Sequence, residues 1–92
     1  MNRTVEFFIG DCIKEFKRIK SNTVDMVFAD PPYDLEIIPS LPELVLNAEI
    51  LVEDGWFILE HGKENSFAHH PQFQELRKYG SVHFSIFERS IP

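Results

Sequence analysis

Apolar positions along this chain recur in two rhythms, and the alternation between them predicts the elements. Val5-Glu6-Phe7-Phe8-Ile9 is a short run rich in β-formers and predicts a strand, which Gly10-Asp11 ends. Over Cys12 to Lys20 the rhythm changes: Cys12, Ile13, Phe16 and Ile19 share one helical stripe, and Ser21-Asn22 stops it. Asp25-Met26-Val27-Phe28-Ala29 predicts a second strand, apolar enough to be buried on both faces. Asp30-Pro31-Pro32-Tyr33-Asp34 has to be a loop, because two prolines would deny a ladder two donors.

Ser40 and Glu43 have capping-box spacing, and the helix expected after them puts Leu41, Leu44, Val45, Ala48, Leu51 and Val52 on one face. Asp54-Gly55 is expected to end that helix, and Trp56 to Glu60 predicts a third strand. His61 to Pro71 is polar and loop-like. Phe73 and Leu76 suggest a short inward-facing helix over Gln72 to Lys78, with a turn at Tyr79-Gly80. Val82, Phe84 and Ile86 then alternate with His83, Ser85 and Phe87 in a last strand, expected to be antiparallel. Phe87, on the side away from Val82, Phe84 and Ile86, is a candidate interface residue, whereas Trp56 and the other Phe residues are expected in the core.

Strands alternating with helices define an α/β chain with right-handed crossovers and helices on both faces of the sheet. Ligands of such sheets bind beyond the carboxyl ends of the parallel strands. Two of those ends carry acids, Ile9-Gly10-Asp11 and Phe28-Ala29-Asp30.

Composition narrows the picture. A chain of 92 residues is read as a single domain, 1–92, and its 43% hydrophobic content with nine Phe suffices for a packed core. The lone Cys12 has no internal partner for a disulfide, which fits a reducing cytosol and a cytoplasmic protein. It reads as a small packed residue rather than a nucleophile, because no His or Asp pattern flanks it. No signal peptide and no membrane-length apolar run are seen. A formal charge of −6 speaks against autonomous nucleic-acid binding, although Lys14, Lys17, Arg18 and Lys20 cluster in one helical window. His61, His69 and His70 lack the spacing and companions of a zinc set, so no metal is expected; His61 either lines the site or caps its strand.

The chemistry lies at Asp30-Pro31-Pro32-Tyr33. An exocyclic amine of a base delocalises its lone pair into the ring. Groups that accept its N–H bonds turn that nitrogen toward an incoming methyl. Asp30 supplies a carboxylate and Pro31 a carbonyl, Pro31 and Pro32 stiffen the backbone, and Tyr33 can stack on a base rotated out of its helix.

Asp-Pro-Pro-Tyr after an apolar strand resembles the signature of amino-group methyltransferases of DNA, RNA and some proteins. A longer ordered set runs Val24 to Tyr33, Leu51 to His61 and Lys78 to Val82. It is similar to the bacterial guanine-N2 methyltransferases of small-subunit ribosomal RNA. The resemblance covers nearly the whole chain. It implies a partial Rossmann-like class I methyltransferase sheet, with three parallel strands, a terminal antiparallel strand and helices on both faces. It implies S-adenosylmethionine as cofactor, ribosomal RNA as partner, and a role in RNA methylation and rRNA processing. By that resemblance Gly10 and Asp11 match the turn that contacts the cofactor adenine, and Cys12 offers its backbone N–H to the ring. Phe28 and Ala29 lie under the methionine end, and Asp30, Pro31, Pro32 and Tyr33 form the target-amine site, with Asp30 also at the cofactor. Asp11 can equally serve as the N-cap of its helix.

The departures are as definite as the match. The family's first two strands and the glycine-rich turn between them have no counterpart, and the four glycines, at 10, 55, 62 and 80, do not cluster. The expectation is a catalytic loop with half a cofactor pocket. The central strands missing from it would leave a gap or an unpaired edge, which favours a homodimer or swapped oligomer. DNA adenine-N6 methylation and a non-catalytic, self-associating remnant are the alternative readings.

Overall fold

The computed structural model describes residues 4–7, 23–30, 36, 38–48 and 50–90. Its core is a five-stranded mixed sheet. Three strands run parallel, β1 (Thr4–Phe7), β2 (Val24–Ala29) and β3 (Leu51–His61), and are followed by the antiparallel pair β4 (Phe73–Tyr79) and β5 (Val82–Glu88). The order across the sheet is β1-β2-β3-β5-β4. Three parallel strands and a terminal antiparallel strand are present as expected. Of the expected gap or unpaired edge, there is no gap, since β1 pairs directly with β2, Phe7 opposite Ala29, and β1 is an outer strand among the described residues. The segment read as the first helix, 12–20, lies outside the described residues.

α1 (Leu41–Asn47) connects β2 to β3 after a 3₁₀ turn at Ile38–Ser40. The expected capping box does not form. Ser40 already has helical angles, φ −95° and ψ −8°, so its hydroxyl makes no cap bond. Glu43 instead accepts from Asn47 at 3.2 Å and from His70 at 3.1 Å. α1 is also shorter than its apolar stripe suggested. Ile50 accepts hydrogen bonds from the N–H groups of Thr23 and Val24, and Leu51 pairs with Val24, so this stretch joins the sheet. Asp54-Gly55 is therefore a kink within β3, where Asp54 takes φ 66° and Arg89 bonds both to Gly55 and to the Leu51 carbonyl.

Register decides which side chains share a face. Val27, Ala29, Phe57, Leu59, His61, Ser85 and Phe87 line one face, and all are buried. α1 covers this face with Leu41, Val45 and Leu46, and Phe67 closes it from the 62–72 loop. Phe87 sits at its centre, 5.5 Å from the Phe57 ring and within 6.0 Å of Phe67, His70 and Phe73. That removes it as an interface candidate. The opposite face carries Met26, Phe28, Trp56, Ile58 and Phe84, with Trp56 44% exposed. Trp56, expected in the core, thus lies on the more open side.

The short helix expected over Gln72 to Lys78 is β4, the edge strand. A bulge between Phe73 and Glu75 puts Phe73 opposite Phe87 and Leu76 opposite Ser85, so both fall on one face despite their three-residue spacing. This reproduces a helical i, i+3 signature inside a strand. The turn at Tyr79-Gly80 is confirmed: Gly80 takes φ 62° and joins β4 to β5 through two residues, Gly80 and Ser81.

Candidate functional site

Parallel strands place their carboxyl ends along one sheet edge, and β1, β2 and β3 reach it together. Phe7 is level with Ala29, and Ala29 with Leu59. Asp30 is the residue by which β2 leaves the sheet, beyond that shared level and half-buried. Glu60 and His61 end β3 on the adjoining strand. Phe28, two residues back, is half-buried on the open face, its ring 6.2 Å from that of Phe84 and tilted by 45°. Phe84 in turn contacts Tyr79 edge-on at 5.9 Å. Asp30 therefore leaves the sheet two residues after Phe28, at the edge where sheets of this kind bind ligands.

Of the residues singled out from sequence, Phe28, Ala29 and Asp30 are brought together here. Ala29 faces the α1 side and is buried, so it is Phe28 that borders the open side. Gly10, Asp11, Cys12, Pro31, Pro32 and Tyr33 lie outside the described residues, as do Lys14, Lys17, Arg18 and Lys20. β1 runs parallel to β2, toward the same edge.

His61 ends β3 with its ring turned into the core. It is fully buried, with Nδ1 2.7 Å from the Gly62 carbonyl and Nε2 2.7 Å from the Ser85 hydroxyl. Nδ1–H donates to the carbonyl, so Nε2 accepts from Ser85. Burial pushes the imidazole below its ordinary pKa, and His83 adds to this, while the Gly62 bond and Glu64 oppose it. Sequence reading missed this pair because Ser85 and His83 occupy the core-facing positions of β5. His61 and Ser85 also border a pocket of about 290 Å³ under Phe67, Phe73 and Leu76. His70 ties the 62–72 loop to α1 through Glu43. Among the described residues no three His, Cys, Asp or Glu side chains converge as a metal site. A second pocket, about 340 Å³, lies against the β3 kink with Asp25 and Trp56 in its lining, at the end of β2 away from Asp30.

The family model described as conserved hypothetical protein 95 matches residues 1–88. The chain belongs to that family. A Type II methyltransferase of Haemophilus influenzae, M.HinfI, is 34% identical over 67 residues, which is 73% of this chain and 17% of that protein. A solved structure of a candidate methylase from Haemophilus influenzae superposes with a TM-score of 0.68 at 16% identity, covering 86% of this chain and 51% of that one. A candidate methyltransferase from Escherichia coli gives 0.66 at 16% identity, covering 90% and 46%. The last two likenesses establish the shared α/β fold. The chain spans about half the length of these structures and about a sixth of M.HinfI. No helix among the described residues is long and apolar enough to cross a membrane.

Proposed function

We propose that this chain is the target-amine portion of an S-adenosylmethionine-dependent N-methyltransferase acting on an exocyclic amine of a nucleobase, foremost guanine N2 in ribosomal RNA. The observation that carries the reading is the position of Asp30, half-buried at the exit of β2 on the edge that β1 and β3 also reach. Family membership and the methyltransferase names of the relatives support it.

In this reading the Asp30 carboxylate and the Pro31 carbonyl accept the two N–H bonds of the amine and direct its nitrogen. Pro32 keeps the loop stiff, and Tyr33 stacks on the extruded base. Gly10, Asp11 and Cys12 hold the adenine of the cofactor, and Phe28 lies against its methionine end, near Asp30. When bound, S-adenosylmethionine supplies an electrophilic methyl on a sulfonium sulfur. The residues named here contribute alignment for in-line transfer and need no covalent intermediate.

A second reading, methylation of adenine N6 in DNA, is favoured by the likeness to the Type II methyltransferase. Radiolabelled methyl incorporation decides between them. The expected result is label in ribosomal RNA, reduced on the order of 10²-fold or more by Asp30→Ala. Equal incorporation by both proteins defeats the role of Asp30, and label in DNA alone selects the second reading.

A further inference from the structure

We propose that β4 is a docking edge for a second copy of this chain, the two β4 strands pairing antiparallel about Leu76 to make one continuous ten-stranded sheet. This is independent of the methyl-transfer reading.

β4 is the outer strand of the sheet, with β5 on one side and no strand among the described residues on the other. Every second residue of such a strand turns its N–H and C=O away from its single neighbour, ready to bond another strand. β4 is also open on both faces: after Phe73 its six remaining residues are exposed, with Leu76 at 39% and Tyr79 at 61%. Leu76 and Tyr79 are two of the three large hydrophobics that stand exposed among the described residues.

Charged side chains on an edge strand ordinarily keep copies apart. Here their order allows them to satisfy one another. Glu75 and Arg77 lie on the face of Ile86 and Phe84, and Leu76 and Lys78 on the face of Ser85 and His83. In a two-fold antiparallel pair, directly opposed residues must share a face, so the axis has to fall on a residue. An axis at Glu75 opposes two carboxylates, and an axis at Arg77 opposes two guanidinium groups. Both lose overlap as well. The axis at Leu76 opposes Leu76 to Leu76, Glu75 to Arg77 twice, and Gln74 to Lys78 twice.

Within one chain Arg77 Nε already donates to Glu75 Oε2 at 3.1 Å. Pairing would extend this contact into a four-member ladder of alternating charge, because a carboxylate can accept from a second guanidinium. The bulge between Phe73 and Glu75 ends the pairing at Gln74. Of the registers centred on Glu75, Leu76 and Arg77, charge order therefore selects the one at Leu76.

The test is sedimentation of the full chain together with two charge variants. Glu75 and Arg77 side chains are 50% and 56% exposed, so substitutions there leave the core intact, which far-UV circular dichroism checks. The wild-type chain is expected to dimerise at high micromolar concentration. Glu75→Arg opposes cations at both pairs and Arg77→Glu opposes carboxylates, so each alone should lose about tenfold or more in association constant. Mixed together, the two variants again oppose unlike charges, and a heterodimer should form. A monomeric wild type, a dimer that neither variant weakens, or variants that fail to associate on mixing would each overturn the proposal.

Discussion

Nε2 of His61 lies 2.7 Å from Oγ of Ser85, diagonally across the β3–β5 pair, in a core where neither residue is more than 1% exposed. The bond lets a polar pair occupy the face that packs against α1 and Phe67. Its removal leaves a buried ring nitrogen without a donor, the expensive side of the hydrogen-bond balance. Ser85→Ala is expected to cost about 1–3 kcal/mol in urea unfolding. The pair His61→Phe with Ser85→Ala should cost less than the sum of the single changes, since no orphan remains. Additive costs would show that the two side chains do not interact.

The same burial makes stability depend on pH. His61 is held below its ordinary pKa, near 6.5, chiefly by desolvation. The unfolded chain therefore takes up this proton at a higher pH than the folded one. The stability contribution is complete above about 6.5 and is lost as pH falls from there through the folded value. The urea midpoint is expected to drop between pH 7.5 and pH 5.5, and the drop should shrink in His61→Phe. An unchanged drop in that variant assigns the effect to other groups.

Phe87 is fully buried and packs against four rings, those of Phe57, Phe67, His70 and Phe73. Phe87→Ala should cost about 3–5 kcal/mol, a large share of the stability of so small a chain. A midpoint shift no larger than that of a surface substitution would remove Phe87 from the core.

Gly80 tests backbone conformation without packing. Its φ is 62°, and a Cβ there would meet nothing within 4 Å, so any cost is conformational. Gly80→Ala should destabilise by roughly 1–2 kcal/mol, and Gly80→Asn by less, because Asn tolerates this region. Equal costs would point to a contact rather than to backbone strain.

Sequence rhythm located the parallel strands well. Asp25 to Ala29 falls within β2 and Trp56 to Glu60 within β3, because strands buried in a mixed sheet carry unbroken apolar runs. It failed wherever partners override local pattern. Leu51 and Val52 continue the α1 stripe, yet pairing with Val24 draws the chain into β3. Phe73 and Leu76 mimic a helix because a bulge supplies the extra residue. On β5 the polar-looking side, His83 and Ser85, proved to face the core, since Ser85 donates a hydrogen bond there to His61 on the neighbouring strand. At the site, Asp30 and its place at a strand exit were legible from the prolines alone. The burial of His61 was not, because its partner Ser85 lies 24 residues away.

The two-residue turn between β4 and β5 also bears on the order in which the sheet assembles. Closing that turn costs little entropy, whereas β1 reaches β2 only after about sixteen intervening residues. A local hairpin zips in microseconds, and non-local parallel pairing is slower. Folding should therefore proceed from the hairpin inward, with β3 docking on β5 and the strand that leads into Asp30 added late.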